Sequence, residues 1–179
     1  MVIFIAGIHG VGKTFLCQAL TAATDLRHSS ASQIIREERS SQSWGTDKLV
    51  ADISGNQQAL AAGVKRILED EATLILDGHF VLKTSKGLED VSLETFESLG
   101  LSAIILIESD VQVVAQRLAD RDQNHSAGNL KEFMHAERMA ALKASLTIGI
   151  PFFLLNSPST ETFIDCTNSI LKLTNRNNY

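Results

Sequence analysis

The chain has 179 residues, which suits a single domain spanning 1–179 with a core of its own. Apolar residues make up 44% and charged residues 21%, a balance that excludes an intrinsically disordered chain. The net charge of −5 argues against a general nucleic-acid or membrane-surface binder, while leaving room for local cations to hold an anionic small molecule.

Taken in chain order, the first element is a buried strand, Val2–Ala6, which is short, continuous and rich in β-branched residues. Lys13–Ala23 follows with helical character, placing Phe15, Leu16, Ala19 and Leu20 on one side. A short second strand is expected at Arg27–Ser29. Ser32 is the expected cap of a helix through "QIIREERS". A long helix is expected over about 47–70, bent near Gly55 and Gly63. "ATLILDGH" is a third buried strand that ends at Asp77. "LSAIILIES" is a fourth, over Ser102–Glu108, after which Asp110 caps the helix "VQVVAQRLADR". The polar "DQNHSAGN" reads as a loop. "LKEFMHAERMAALKASL" is a long helix and "IPFFLL" a fifth strand. Ser159 or Thr160 opens a terminal helix.

Apolar strands without period-two alternation, separated by helices, point to an α/β fold: a five-stranded parallel sheet sandwiched by helices. Such sheets bind substrates at the carboxyl ends of their strands. Gly7–Thr14, Asp77–Lys83 and the end of the fourth strand therefore share one rim. Val2–Ala6 is too short for the apolar core of a signal peptide, and no run approaches the roughly 20 apolar residues of a membrane span. The two cysteines, Cys17 and Cys166, lack metal-type spacing and are expected as free thiols. Together these features lead to an expected cytoplasmic location with no membrane partner.

"GIHGVGKT", over Gly7–Thr14, satisfies G-x-x-x-x-G-K-[ST]. The loop must wrap a phosphate closely enough for backbone N–H groups to point inward, hence Gly10 and Gly12. It then enters a helix whose free N–H groups and positive dipole end favour an anion. Gly10, Val11, Gly12, Lys13, Thr14 and Phe15 are thus the expected ATP-binding residues. Lys13 serves the β- and γ-phosphates, and the Thr14 hydroxyl is a ligand for Mg²⁺. Asp77, at the end of "TLILD", is the expected second metal residue, holding Mg²⁺ directly or through its water. His79 has two readings: it positions water or the acceptor, or it is a packed neutral histidine.

Several segments together resemble the adenylate kinases, a family of P-loop NTPase fold and nucleoside monophosphate kinase type. "HSSASQIIREE" looks like the adenylate kinase segment whose arginine grips the monophosphate acceptor. The family's usual Gly-Asp there is Ser32-Gln33 in this chain. "LILDGHFVLKTSKG" is more similar to archaeal-type adenylate kinases, through Asp77, His79, Lys83, Thr84, Lys86 and Gly87. "RLADRDQNHSAGNLKEFMHAERMAALKASL" resembles that group's short lid and the helix that follows. Short-lid relatives, credited with both kinase and ATPase activity, look alike in the same place. The likeness runs from Val2 to about Leu155. A basic residue of the archaeal-type enzymes is Val50 here, with Lys48 nearby.

The resemblance implies a kinase that transfers phosphoryl from Mg-ATP to a nucleoside monophosphate, AMP above all. It implies an acceptor-binding helical segment at 30–70 and a lid at 121–130, with Gly128 as a hinge. Arg36 and Gln57 would meet the acceptor, alongside His79. Lys13, Asp77, Arg121 and Arg138 would be catalytic, and Arg121 would also contact ATP. Mg²⁺ is the implied cofactor, and ATP or ADP and a nucleoside monophosphate the implied partners, with no nucleic acid. Lys83 and Lys86 receive no role. Two other readings fit the same residues. Ser32-Gln33 and Val50 suit a kinase of another small acceptor. His79 and the short lid suit an ATP-hydrolysing switch or assembly protein that acts through a partner.

Overall fold

A computed structural model describes residues 1–41, 53–84, 86–121 and 129–176. Its centre is a five-stranded parallel sheet. The strands are β1 (Val2–Ala6), β2 (Arg27–Ser30), β3 (Leu74–Asp77), β6 (Leu101–Glu108) and β7 (Phe152–Asn156), in the order β2-β3-β1-β6-β7. In chain order the helices are α1 (Lys13–Ala23), α2 (Ala31–Ser41), α3 (Ile53–Asp70), α4 (Leu93–Ser98), α5 (Val111–Arg121), α6 (Leu130–Ile148) and α7 (Thr160–Arg176).

The central strand β1 shows why no alternation is visible in the sequence. Val2, Phe4 and Ala6 point into one core, with Ile34 of α2, Leu60 and Val64 of α3, and Ala141 of α6. Ile3 and Ile5 point into the other, with Leu16 and Leu20 of α1, Val114 of α5 and Phe163 of α7. Both faces are covered, so every residue of β1 is buried. Each fully buried Ile or Leu contributes about 1.5–3 kcal/mol, so the two layers anchor the strand ends that carry the chemistry.

Four expectations need correction. The fourth strand starts one residue earlier, at Leu101. The second strand runs one residue further, to Ser30. The next helix starts at Ala31, so Ser32 lies inside it and is not its cap; the Gln33 N–H donates to Ser30 Oγ at 3.2 Å, which gives the capping role to Ser30. The fifth strand starts at Phe152, after Pro151, which has no N–H for the ladder. Of the long helix expected from about 47, residues 53–70 form α3, and the part before 53 lies outside the described residues. Gly63 of α3 has a packing reason: a Cβ there would stand 2.3 Å from Ile34 of α2. Two features were not expected, the short helix α4 and an antiparallel hairpin of β4 (Val81–Thr84) and β5 (Gly87–Asp90). Asp110 and Ser159 act as foreseen, accepting the N–H groups of Gln112 and Thr162. Among the described residues no helix is long and apolar enough to cross a membrane.

Candidate active site

The loop between β1 and α1 has a backbone that side chains would obstruct. Gly7 has φ +138°, and a Cβ on it would meet the Ile107 carbonyl oxygen at 2.4 Å. Gly12, at φ +104°, is the left-handed residue that leads into α1. The first free N–H groups of α1 therefore face the loop's concavity.

Lys13 is buried, and its ammonium donates to the carbonyls of Gly7 and, at 3.2 Å, Ile8. It also faces His79 Nε2 at 3.4 Å, and because an ammonium only donates, that nitrogen is the acceptor. Burial lowers the Lys13 pKa, while the charges of Asp77 and Glu137 pull it back up. His79 is held neutral: burial first, then Lys13 and His9, bring its pKa down from 6.5 to about 2. Its ring lies 4.3 Å from that of His9. His79 is thus packed and neutral, and it also lines the cleft.

Asp77 ends β3 almost fully buried, and His28 of β2 donates from Nε2 to its carboxylate at 2.6 Å. That bond orients the carboxylate. Thr14, exposed at the start of α1, lines the same cleft. A hydroxyl and a carboxylate are hard oxygen donors of the kind Mg²⁺ takes, so the two residues fit that ion.

Glu137 of α6 is the least foreseeable member. It is 1% exposed, yet its carboxylate accepts the N–H groups of Gly7 at 3.1 Å, Phe80 at 3.0 Å and Val81 at 2.8 Å. Burial raises its pKa; the bonds from Phe80, Val81 and Gly7 and the charge of Lys13 oppose that. One side chain thus ties the first glycine of the loop to the turn after Asp77. The next residue, Arg138, grips Glu108 at the end of β6, with Nε–Oε1 at 2.7 Å and Nη2 on Oε2. Arg138 therefore stands beside the loop in a fork with a carboxylate. Arg117 of α5 donates to the Gly10 carbonyl at 3.1 Å. It lies one helical turn before Arg121 and is a residue that sequence reasoning missed; the spacing of four was the available signal. Arg121 ends α5, but its side chain, the loop 122–128 with Gly128, and Lys48 and Val50 lie outside the described residues.

Across the loop lies a cleft of about 680 Å³. Its far wall combines apolar Ile35, Leu60 and Phe96 with polar Ser30, Asn56, Gln57 and Thr95. Phe4 and Phe96 meet edge to face at 5.5 Å. Arg39 reaches this wall by donating to Asn56 Oδ1 at 2.7 Å. Gln57 is among the residues that line the cleft. Arg36 is exposed on α2 and is not among the residues that line the cleft. Of the other expected nucleotide residues, Phe15 is 66% exposed and lines the cleft, whereas Val11 is buried and does not.

Residues 6–133 match the model of the AAA domain family. No curated protein matches the chain. Solved structures share the fold at low identity. Shikimate kinase from Acinetobacter baumannii, in complex with shikimate, has a TM-score of 0.57 at 14% identity, covering 98% of this chain and 93% of that one. A sugar kinase from Janibacter sp. has a TM-score of 0.52 at 18% identity, covering 96% and 94%. YorR protein from Bacillus subtilis, in complex with phosphorylated GDP, has a TM-score of 0.63 at 11% identity, covering 98% of each chain. The architecture is that of the P-loop kinases.

Proposed function

The chain belongs to the AAA domain family, and we propose that it is a phosphotransferase that moves the terminal phosphoryl of Mg-ATP onto a nucleoside monophosphate, AMP in the first instance. One observation carries this reading: the phosphate loop with Lys13, Thr14 and Asp77, and the wall with Asn56 and Gln57, face the same cleft.

Phosphoryl transfer asks the protein for position and charge rather than covalent chemistry. Lys13 is suited to it because its hydrogen-bond partners are two carbonyls and an imidazole, all neutral. Phosphate oxygens are stronger acceptors and would draw the ammonium forward. Thr14 and Asp77 would hold Mg²⁺, which when bound neutralises charge on the phosphate oxygens. His28 keeps the Asp77 carboxylate turned to its place. Arg117, beside Gly10, adds a cation at the nucleotide. Arg121 and Arg138 are the further cations of this reading, Arg138 by leaving Glu108 for the transferring group. On the far wall the apolar side chains would flank a planar base, and the amides of Asn56 and Gln57 would read its edge. Arg36 and Arg39 on α2 are the cations within reach of an acceptor phosphate by helix movement. Closure over 121–130 would exclude the water that competes with the acceptor.

A second reading, a kinase of another small acceptor, has an observation of its own. Among the described residues that line the cleft, Lys13 is the one Lys or Arg. A hydroxyl-bearing acceptor without a phosphate would need no second cation there. The deciding experiment mixes the protein and Mg-ATP with AMP, CMP, GMP, UMP, dAMP, shikimate and simple sugars, and separates the products by chromatography. Two nucleoside diphosphates with one monophosphate establish the first reading. A phosphorylated sugar or acid establishes the second. ADP and inorganic phosphate alone contradict both and favour a partner-linked ATPase.

A further inference from the structure

Beneath the phosphate loop three side chains converge from three elements. Cys17 lies one turn beyond Lys13 on α1, His28 is on β2 and Asp77 ends β3. The Cys17 sulfur, a His28 ring nitrogen and an Asp77 carboxylate oxygen all lie within 4.8 Å of one another. Among the described residues this is the one group of His, Cys, Asp and Glu so arranged. Cys17 and Asp77 are buried and His28 half-buried.

The donor set is wrong for Mg²⁺, which takes oxygen ligands in an octahedron. It is right for a softer ion, since thiolate and imidazole are the ligands Zn²⁺ prefers. Bond lengths of about 2.0–2.3 Å in a tetrahedron put sulfur and nitrogen roughly 3.5 Å apart, so the group needs only a small adjustment. The ion would replace the 2.6 Å His28–Asp77 hydrogen bond with a bond to each partner. The thiol proton leaves to solvent on binding. A thiolate and a carboxylate then balance the dication, with the imidazole neutral. Asp77 lines the cleft, so the ion has a way in, and water or nucleotide can take the fourth position.

We infer that Cys17, His28 and Asp77 form a binding site for a thiophilic divalent cation such as Zn²⁺, and that its occupation shuts down Mg-ATP turnover because both ions claim Asp77. The second half rests on the proposed role of Asp77 in holding Mg²⁺; the first half does not.

The test titrates the full chain with Cd²⁺, whose bond to a thiolate absorbs in the ultraviolet. One band is expected, saturating at one equivalent, reversed by Zn²⁺, kept in Cys166→Ala and lost in Cys17→Ala. His28→Gln leaves the thiol in place and tests the site even where Cys17→Ala unfolds; it should weaken Cd²⁺ binding at least ~10-fold. Absence of the band, its loss in Cys166→Ala, or undiminished affinity in His28→Gln would overturn the site. Turnover is read separately. Zn²⁺ should inhibit the wild type, less so as Mg-ATP rises, and a chelator should restore it. A Cys17 band with undiminished turnover keeps the cation site and overturns the assignment of Asp77 to Mg²⁺.

Discussion

On the nucleotide wall of the cleft Lys13 and Glu137 are held mainly by backbone; between α2 and α3 the polar side chains are held by one another. Lys13 rests on the carbonyls of Gly7 and Ile8, and Glu137 gathers three backbone N–H groups. Opposite, Arg39 leans on Asn56, Gln33 on Glu37, and Arg66 on Glu38. Bonds to the main chain fix a geometry that tolerates little change in sequence. Pairs between side chains can be exchanged without moving the fold. The difference suits the proposed division of labour, in which one wall performs a common chemistry and the other chooses the acceptor.

The sharpest break in that contrast is Lys13→Ala. Removing a cation of this kind lowers kcat by about 10²–10⁵ in phosphoryl transfer. Rapid-quench or steady-state kinetics should show that loss, with the far-ultraviolet circular dichroism unchanged. Turnover within tenfold of wild type would mean that the loop does not serve the reaction.

Glu137→Ala tests the backbone tether itself. It leaves three buried N–H groups without an acceptor, each worth about 1–3 kcal/mol, so urea unfolding should show a loss of about 3 kcal/mol or more. Glu137→Gln keeps an acceptor oxygen and should lose less.

His79 gives the same wall a signature in pH. Its native pKa of about 2 lies below the ordinary 6.5. As pH falls through 6.5 the unfolded chain takes up a proton that the native chain refuses, so stability declines on acidification. By pH 5 this amounts to ~2 kcal/mol at about 1.4 kcal/mol per unit. Denaturant midpoints of wild type and His79→Gln should therefore converge between pH 7 and pH 5. Parallel curves would show that His79 is not held neutral.

The smallest effects separate the walls. Arg117→Ala should raise the KM for ATP ~10-fold, the loss of one charge-assisted bond. Gln57→Ala should raise the acceptor KM by about 5- to 10-fold and leave that for ATP alone. A change in the same KM for both variants would erase the division between the two walls.

How much of this was legible in the sequence follows the same line. The runs Val2–Ala6, Leu74–Asp77 and Leu101–Glu108 announced a sheet covered on both faces because, apart from Ser102, every position in them is apolar or is the working residue at the end. The loop Gly7–Thr14 was legible because its chemistry is contiguous. Ser30 was missed as a cap because Ser32, two residues on, offers the same hydroxyl. The hairpin Val81–Thr84 with Gly87–Asp90 was missed because its strands are short and half of their residues exposed, with no apolar run to mark them. Glu137 and His28 carry no local signal, and Arg117 only its spacing of four from Arg121. Each acts on a group 49 to 130 residues away, and only the parallel crossovers bring them to the rim. Arg36 shows the converse: a motif position identified in the sequence, yet standing on the exposed face of its helix.

The central claim is that a phosphoryl group leaves the Lys13 side of the cleft and arrives on a molecule seated against α3. ATP carrying a radiolabelled γ-phosphate, incubated with the protein, Mg²⁺ and AMP, tests it most directly. The account predicts that the label moves to ADP formed from AMP, that Lys13→Ala abolishes the transfer, and that Gln57→Ala restores it only at higher AMP than wild type needs. Label that appears only as inorganic phosphate, at a rate indifferent to AMP, would contradict it.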